Sequence, residues 1–594
     1  MNDQDESYRA GTPTCACGER NRQADRRGLL LLFLTAGILL FWRLGWRSLW
    51  AAEGRWAEVT REMFATGDFF HPRIGGEPYF DKPLMTYWLR AVFAAVTGTL
   101  DELTVRLPSA LAGLAAVWAT VRIGTRVGSP RVGRVAGWIL LTMYAFLFWA
   151  RTGTADAENL AAITLAVAWY WSRRDRLGFS AMLVFYLIAF IGALMKGLTA
   201  VAVPICIVLP DMVVERRWRI LLGVRHWAAV GLAVLVYLSP LLYASWTRPQ
   251  DYSSSGLAMV FQENILRYFQ PFDHKAPIYL YLYELPVLLL PWTPLFLLAA
   301  AGLAHSRKSL DWRTRWLMWA IAAVFLFFTL SGSRRSYYIL PILPLCAVLI
   351  AVFVSGTRDA ATKRLYQKGL AAQRLLFFGL IGLDLAIPLI LTLIRKVSHF
   401  QISLQFHVAS LVIGMASALV YGRFARFRGM KRSLDGCGGI RPPIAAAVVL
   451  LGGYFCWQEG ILDRTRTERP FVQELRTSCV TLSPERVAMF PKPNANILFY
   501  LHLDEPIRII NSIDDLRHFL ESGPAGGVIT QSRYASELPE DVLSRLRSGR
   551  YLAEQVQPWE PKSSRPEKWM AWFWPQTREP AKNTGERENV NHAN

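Results

Sequence analysis

The sequence has 594 residues, of which 53% are hydrophobic, and its mean hydropathy is +0.23. This composition excludes an ordinary soluble protein, because repeated apolar runs of about 17–25 residues are long enough to cross a bilayer as helices. The net charge of +21 would favour a nucleic-acid partner in a soluble domain, but here the basic residues lie mostly in short connectors between apolar runs. We therefore expect a polytopic α-helical membrane protein surrounded by lipid, with no nucleic acid as a partner.

The apolar runs predict the order of segments along the chain. Residues 1–27 are polar, end in two arginines and contain no small-residue cleavage pattern, so we expect a cytoplasmic tail before a retained first span. A transmembrane domain is predicted over 28–457, with a large loop at 47–104. The thirteen predicted spans cover 28–46, 105–122, 133–150, 159–171, 180–195, 197–214, 227–246, 277–303, 315–331, 338–355, 375–394, 404–421 and 442–457.

The charge of the connectors assigns the two sides of the membrane. Even-numbered spans are followed by basic connectors such as RIGTRVGSPRVGR (122–134) and GRFARFRGMKR (422–432), which belong on the cytoplasmic side. Connectors on the other side are acid-rich (52–102) or mixed (248–275). The large loop and the C-terminus are therefore predicted to lie outside the cytoplasm.

The composition changes after the last predicted span. Residues 458–575 contain short β-type runs and helical segments, which predict a small extracytoplasmic α/β domain. Residues 576–594 are charged and lack apolar periodicity, so we expect a disordered tail. The predicted strands are VAMF (487–490), ILFYL (497–501), IRII (507–510) and GVIT (527–530), and the predicted helices are 512–521 and 536–548.

The stretch between the first two spans is rich in charged and aromatic residues for a connector. From residue 52 to residue 88 it reads AEGRWAEVTREMFATGDFFHPRIGGEPYFDKPLMTYW. A surface helix over 54–66 accounts for Arg61, because Glu58 and Glu62 stand near it at helical spacing as ion-pair partners.

Such a helix accounts less well for Glu53 and Lys82, which flank apolar and aromatic residues. Glu53 and Arg55 follow the first span directly, and Lys82 stands between an aromatic-acidic pair and a proline. We interpret them as parts of an active site at the membrane surface.

Two acids begin the fourth predicted span on the same outer side. In RTGTADAEN (151–159), Asp156 and Glu158 lie at the outer end of that span. Carboxylates at a membrane boundary are functional candidates, since leaving them in lipid is expensive. Stabilisation of a helix N-terminus by the two acids is the alternative interpretation.

Several cations also lie on the outer side, against the bias of the connectors. Lys196 falls at a predicted outer turn, where it could hold a phosphate, although a lysine that extends to the interface is the simpler interpretation. Arg267 and Arg334 lie in later outer loops. Arginines on this side favour an anionic ligand, because their geometry suits phosphate.

Outer carboxylates and cations together have the chemistry needed for sugar transfer from a lipid phosphate. A carboxylate can deprotonate an acceptor hydroxyl, and cations can stabilise a phosphate leaving group. Two other classes remain open at this point: a transporter or flippase of polyprenyl-linked lipids, and a non-catalytic membrane scaffold. A transporter would need charges along a path through several spans, whereas here they gather on one side.

A set of motifs occurs in a fixed order along the chain: the loop string above, RLPSALAGL (106–114), TADAEN (154–159), MKG (195–197), ENILRYF (263–269), LPWTP (290–294) and SRRSYYILPILP (333–344). This collinear set resembles glycosyltransferase family 39, and in particular its bacterial branch of undecaprenyl-phosphate aminoarabinose transferases, related to protein O-mannosyltransferases. The resemblance covers about residues 28–355. It implies the GT-C architecture, a polyprenyl-phosphate-sugar donor, a location in the bacterial inner membrane, and inverting transfer on the extracytoplasmic face to a glycolipid such as lipid A, a polysaccharide or a protein.

The resemblance also implies roles for individual residues. The family's first-loop Asp-Glu pair is Ala52-Glu53 here, so Glu53 and Asp156 are the acid/base candidates. Lys82 matches the lysine of the family's F-[ED]-K-P string and is expected to contact the donor phosphate.

Further cations are expected to support that phosphate contact. The family's KGP is Lys196-Gly197-Leu198 here, and Arg334 stands before the late YxxP stretch. Arg55 and Arg267 complete the set. No cofactor is certain, although Glu53, Asp156 and Glu158 could hold a divalent metal.

Overall fold

A computed structural model gives the fold of two compact units. The first comprises Met1–Arg73, Pro78–Ile394 and Gln401–Thr465, and the second comprises Ile74–Glu77, Arg395–Phe400 and Arg466–Asn594. The structure describes residues 14–50, 52–79, 82–247, 275–306, 308, 310–356, 360–394, 403–426, 437–463, 468–479, 482–503, 505–523, 525–553 and 568–574.

The first unit is a helical bundle with one large apolar core. A short hairpin, β1 (Arg73–Ile74) and β2 (Glu77–Pro78), follows its second helix, and 3-10 turns cover Arg217–Leu222, Ser336–Ile342 and Cys437–Ile440. The helices are α1 (Thr14–Phe41), α2 (Glu53–Thr66), α3 (Met85–Thr97), α4 (Glu102–Val127), α5 (Pro130–Leu141), α6 (Tyr144–Ala150), α7 (Asp156–Arg173), α8 (Phe179–Ala193), α9 (Thr199–Val214), α10 (Val224–Thr247), α11 (Leu280–Leu288), α12 (Thr293–His305), α13 (Trp312–Leu330), α14 (Leu343–Ser355), α15 (Ala360–Ile394), α16 (Leu404–Arg426), α17 (Arg441–Gly453) and α18 (Glu459–Asp463).

The chain is a multi-pass membrane protein, but the number of spans differs from the prediction. Among the described residues, seven helices are long and apolar enough to cross a membrane, or nine if each of two bent pairs is one span. The expected count of thirteen is therefore not confirmed. The predicted span 133–150 bends by 71° between α5 and α6, and the predicted span 277–303 bends by 115° between α11 and α12. Pro291 lies at the second bend, where a residue without a backbone N–H interrupts a helix.

Helix α4 positions the residues discussed below. Asp101 caps it by accepting a hydrogen bond from the amide of Thr104 at 2.9 Å, and the Thr104 hydroxyl accepts one from the Asp101 amide at 2.8 Å. This reciprocal capping fixes where the helix begins. At its other end α4 approaches α5 closely, because a Cβ on Gly124 would lie 2.9 Å from the Cα of Gly133.

The second unit is a small α/β domain around a five-stranded sheet. The strand order is β4-β3-β5-β7-β6, in which β3 pairs parallel with β4 and β5, and β7 pairs antiparallel with β5 and β6. The strands are β3 (Val487–Met489), β4 (Arg508–Ile509), β5 (Gly526–Gln531), β6 (Arg550–Ala553) and β7 (Trp569–Trp574), and the helices are α19 (Arg469–Cys479), α20 (Ala495–Leu501), α21 (Ile513–Glu521), α22 (Ser532–Ala535) and α23 (Glu540–Arg547).

Three of the four predicted strands are present in the sheet, and the prediction of a strand at 497–501 was wrong. The run ILFYL (497–501) forms α20 instead, because Asn494 caps it by accepting a hydrogen bond from the amide of Ile497 at 3.0 Å. Strands β6 and β7 were not predicted, although β7 is the apolar run WMAWFW. The predicted disordered tail at 576–594 lies outside the described residues.

Candidate active site

Glu53, the first residue of α2, has a fully buried side chain enclosed by hydrogen-bond donors. Arg106 of α4 donates twice to its carboxylate, from Nε to Oε1 at 2.7 Å and from Nη2 to Oε2 at 2.8 Å. The amide of Gly153 donates to Oε1 at 2.6 Å, and the amide of Trp50 donates to Oε2 at 3.0 Å. Arg47 adds an ion pair at 3.2 Å. Both oxygens are therefore engaged by donors from three parts of the chain.

Arg106 also binds the backbone of the segment that precedes α2. Its Nη1 donates to the carbonyl oxygens of Leu44 at 3.0 Å and of Arg47 at 2.6 Å, and its Nη2 donates to that of Ser48 at 2.7 Å. The guanidinium thus satisfies carbonyl groups in the connector between α1 and α2 while neutralising Glu53. Its removal would leave several buried polar groups without partners.

These partners determine the acidity of Glu53. Burial by itself raises the pKa of this carboxyl, but the charges of Arg106 and Arg47 and the hydrogen bonds from Arg106 and Gly153 outweigh it, so that the pKa falls from 4.5 to about 2. A carboxylate with so low a pKa is a weak base near neutral pH. The arrangement favours a fixed charge over a group that exchanges protons.

The lowered pKa predicts a change of stability with pH. Since the folded-state pKa of about 2 lies below the ordinary value of 4.5, the unfolded chain takes up this proton first as the pH falls. The stabilisation by Glu53 is thus present above pH 4.5 and lost as the pH falls towards 2. We expect the native chain to unfold at a higher temperature than Glu53→Gln. This difference in unfolding temperature should be largest above pH 4.5 and should shrink as the pH falls below that value. Thermal unfolding in detergent at a series of pH values measures this, and a difference that stays constant would contradict it.

Glu158, in the first turn of α7, is held in a similar way. The Nη2 of Arg90 donates to its Oε1 at 3.2 Å, and the hydroxyl of Ser109 donates to the same oxygen at 3.2 Å. Arg90 is itself completely buried and donates to the carbonyl oxygen of Thr86 at 2.6 Å. Glu158 therefore links α7 to α3 and α4.

Asp156, the first residue of α7, has different surroundings. Its Oδ2 accepts a hydrogen bond from the hydroxyl of Thr154 at 2.9 Å, and its Oδ1 forms an ion pair with the ammonium group of Lys196. That ammonium lies 5.2 Å from the ring centre of Tyr337 and 5.4 Å from that of Tyr338. Three sequence motifs that are distant along the chain thus meet at one acid and one lysine.

The structure also brings the segment after Lys82 to this cluster. The amide of Met85, at the start of α3, donates to the carbonyl oxygen of Leu194 at 3.1 Å, two residues before Lys196. Lys82 is partly buried and stands three residues before Met85. The backbone therefore places the start of α3 beside the turn that carries Lys196.

The remaining predicted cations make other contacts. Arg55 donates to the hydroxyl of Tyr79 at 3.0 Å. Arg334 donates to the carbonyl oxygens of Thr329 at 3.1 Å and of Ala276 at 2.6 Å, so it stabilises the backbone of its own region. Arg267 lies outside the described residues.

Sequence reasoning missed the arginines that hold the two glutamates. Arg106 and Arg90 each interrupt an apolar helical stretch and are at most 1% exposed. A cation inside such a stretch requires a buried counter-charge, and that requirement was the signal for both. Arg61, by contrast, pairs with Glu58 at 2.8 Å, which confirms that part of the helix prediction.

The acids do not fit a divalent metal. Within the described part of the chain, no group of three or more His, Cys, Asp or Glu side chains could hold a metal ion. Glu53 and Glu158 direct their oxygens to arginine donors, and Asp156 is paired with Lys196. In the described part of the chain, the three acids therefore do not converge on one metal position.

A family profile and several known proteins match parts of this chain. The profile of the dolichyl-phosphate-mannose-protein mannosyltransferase family matches residues 81–244. An undecaprenyl phosphate-alpha-4-amino-4-deoxy-L-arabinose arabinosyl transferase of Pseudomonas paraeruginosa is 30% identical over 405 residues, which are 65% of this chain and 70% of that protein. A protein of the same description from Aeromonas salmonicida is 31% identical over 326 residues, 53% of this chain and 58% of that one.

Solved structures resemble the whole fold. ArnT from Cupriavidus metallidurans bound to undecaprenyl phosphate superposes with a TM-score of 0.69 at 19% identity, over 92% of this chain and 97% of that one. The same protein in the apo state gives a TM-score of 0.64 over 92% and 98% of the two chains. At this identity the likeness concerns the fold alone.

Proposed function

Because this chain belongs to the family of undecaprenyl phosphate-aminoarabinose arabinosyl transferases, within the GT-C glycosyltransferases, we propose that it transfers a sugar from a polyprenyl-phosphate donor to an extracytoplasmic acceptor. The acceptor class is a glycolipid such as lipid A, a polysaccharide or a protein. The site lies at the outer face of the bacterial inner membrane. The domain at 458–575 is extracytoplasmic in this proposal, and 1–27 is the cytoplasmic tail.

The cluster of Asp156 and Lys196 carries the proposal. Both side chains keep some exposure, 7% for the acid and 18% for the lysine, whereas Glu53 and Arg106 are at most 1% exposed. A reacting group must be reachable by substrate, and of the three candidate acids Glu53, Asp156 and Glu158, with 0%, 7% and 2% of the side chain exposed, Asp156 meets that condition best. The two neighbouring tyrosine rings offer flat apolar surfaces beside the charges.

The chemistry assigns Asp156 as the base. Its carboxylate accepts the proton of the acceptor hydroxyl while the acceptor oxygen forms a bond to the anomeric carbon of the sugar. The bond between that carbon and the phosphate oxygen breaks, and its electron pair leaves with the polyprenyl phosphate. Attack from the side opposite the phosphate inverts the sugar.

Lys196 can serve the acid and the phosphate together. An ammonium group has three donors and no acceptor, and one donor is used by Asp156. The other two make no hydrogen bond to the described residues and can stabilise the negative charge that develops on the phosphate oxygen. Lys82 acts as a second phosphate contact, since its segment lies beside this turn.

Glu53 has a positioning role in this proposal. Its low pKa and its five donors support a fixed anion that orders the segment before α2, the start of α4 and the turn before α7. The turn matters because Gly153 stands three residues before Asp156. Mutation decides between this role and the acid/base role predicted from the sequence.

Membrane vesicles test the reaction itself. A radiolabelled polyprenyl-phosphate sugar is supplied to right-side-out and to inverted vesicles that contain the chain. We expect release of unlabelled polyprenyl phosphate and label in the acceptor fraction with right-side-out vesicles. Movement of intact donor across the membrane without its cleavage would overturn the proposal in favour of transport.

A second experiment identifies the acceptor. Mass spectrometry compares the envelope glycolipids and glycoproteins of a deletion strain with those of the parent strain.

Replacing Lys82 with alanine should weaken the use of the donor. We expect the KM for the donor to rise about tenfold or more with a smaller change of kcat, because a charge-assisted phosphate contact is worth about 1.5–3 kcal/mol. Steady-state kinetics in proteoliposomes measure both constants. Lys308→Ala, which removes an exposed lysine, is the control, and an equal KM in the two variants would contradict the role of Lys82.

A further inference from the structure

A second group of cations lies at the opposite end of the same helices. Asp156 begins α7 and Arg106 lies near the start of α4. Arg122 follows Arg106 by sixteen residues on α4, a separation of about 24 Å along the axis at about 1.5 Å per residue. Whatever binds near Arg122 is therefore separate from the reaction site.

An open cavity of about 380 Å³ lies at this end of the bundle. Its walls come from the C-terminal ends of α4 and α7 and the N-terminal end of α13. It is lined mainly by arginine and tryptophan side chains: Arg122, Arg126, Arg174 and Arg313 with Trp171 and Trp312.

The arginines of this cavity differ in their availability. Arg174 is committed to Asp211, to which its Nε and Nη2 donate at 2.9 and 2.7 Å. Arg122 and Arg126 form no ion pair with any residue in the described ranges, and both are exposed. Asp175, at the same cavity, is 83% exposed and lies 3.5 Å from Arg174. Arg313 forms no ion pair with the described residues either, but its Nη1 donates to the carbonyl oxygen of Arg126 at 2.9 Å, so Arg122 and Arg126 are the two cations left available for an anionic ligand.

A second cavity of about 450 Å³ adjoins the first and shares Arg122 and Arg126 with it. Most of its other walls are apolar, including Trp118, Leu165 and Ile188. A pair of cations between a polar cavity and an apolar one matches a molecule with an anionic head and a hydrocarbon chain. A soluble phosphate would use only the first cavity.

We propose that these two cavities bind one anionic phospholipid, with its phosphate at Arg122 and Arg126 and an acyl chain along Trp118 and Leu165. Arginine forms paired hydrogen bonds with phosphate oxygens. Basic pockets between membrane helices bind the head groups of anionic lipids, and tryptophan favours the depth of the head groups. The site is independent of the donor because α4 and α7 separate the two ends.

Lipid binding to the full-length chain in detergent tests the site. Native mass spectrometry would follow titrations with phosphatidylglycerol, with phosphatidylcholine of the same acyl chains, and with glycerol 3-phosphate. We expect one tightly retained phosphatidylglycerol, at least about tenfold weaker retention of phosphatidylcholine, and no displacement by glycerol 3-phosphate. The double variant Arg122→Gln/Arg126→Gln should weaken phosphatidylglycerol binding at least about tenfold, because both cations near the membrane surface attract the anionic head group.

The matched control removes two other exposed arginines from the same end of the bundle. Arg219 and Arg225 follow α9, which starts beside Lys196 and runs away from it. Arg219→Gln/Arg225→Gln should bind phosphatidylglycerol as the native chain does, and equal weakening in both double variants would overturn the proposal.

A third variant tests the apolar cavity without touching the charges. Leu165→Trp fills space in the apolar cavity beside Trp118 and should also weaken phosphatidylglycerol binding. This variant tests the proposal even if the double arginine variant does not fold. If glycerol 3-phosphate bound as tightly as phosphatidylglycerol, the ligand would be a soluble phosphate and the proposal of a phospholipid would be wrong.

Discussion

Replacing Asp156 with asparagine is expected to lower the rate of sugar transfer about a thousandfold, within the roughly 10²–10⁴ that a positioned general base contributes. The amide keeps the size of the side chain and can still accept the hydrogen bond that Thr154 donates at 2.9 Å. It cannot take the acceptor proton. The initial rate of polyprenyl-phosphate release in proteoliposomes measures the loss, and the unfolding temperature should change little.

The control for this variant is the same substitution at the other end of α7. Asp175 is 83% exposed and lies two residues beyond the end of that helix, so Asp175→Asn should leave the transfer rate within about twofold. If Asp156→Asn retained more than about a tenth of the native rate, another group would have to act as the base.

Replacing Glu53 with alanine is expected to destabilise the membrane domain by about 3–5 kcal/mol, the cost of breaking a buried ion pair. Arg106, which pairs with both carboxylate oxygens, is only 1% exposed and cannot recover full hydration. The buried amide of Gly153 also loses its acceptor. Unfolding in detergent and the yield of folded protein from the membrane measure the effect.

Two further variants separate stability from catalysis. Glu58→Ala removes a carboxylate from the same helix, but its partner Arg61 is 13% exposed and can reach water. We expect less than half the destabilisation of Glu53→Ala. Glu53→Gln keeps the shape of the side chain and should fold with lower stability and measurable transfer; a well-folded but inactive Glu53→Gln would restore the acid/base role.

The sequence predicted the membrane class better than it predicted the course of the helices. Charge bias and apolar length located most helical segments, because both follow from local composition. Neither property shows that a segment bends, as at 133–150 and 277–303. In the second unit, the aromatic run of β7 became a strand through pairing with β5 and β6, which are distant partners.

In the site, too, local sequence features identified single residues but did not show which residues pair. Asp156 and Lys196 were selected separately as charges in unfavourable positions, yet their pairing joins residues forty positions apart. Two partners of Glu53, Arg106 and Gly153, are 53 and 100 positions away. Such pairings decide whether a carboxylate is a free base or a fixed anion, and they follow from helix packing that a single sequence does not display.

The contact between Glu53 and Gly153 has a consequence for engineering this chain. The carboxylate must reach a backbone amide at 2.6 Å and an arginine at 2.7 Å from one oxygen. Aspartate has the same charge but one methylene fewer, so it cannot span both partners from the same backbone position. Gly153 is equally constrained, since a Cβ there would lie 2.7 Å from Val105. A designer who wishes to restore the missing aspartate should therefore change Ala52 and leave the length of the side chain at residue 53 untouched.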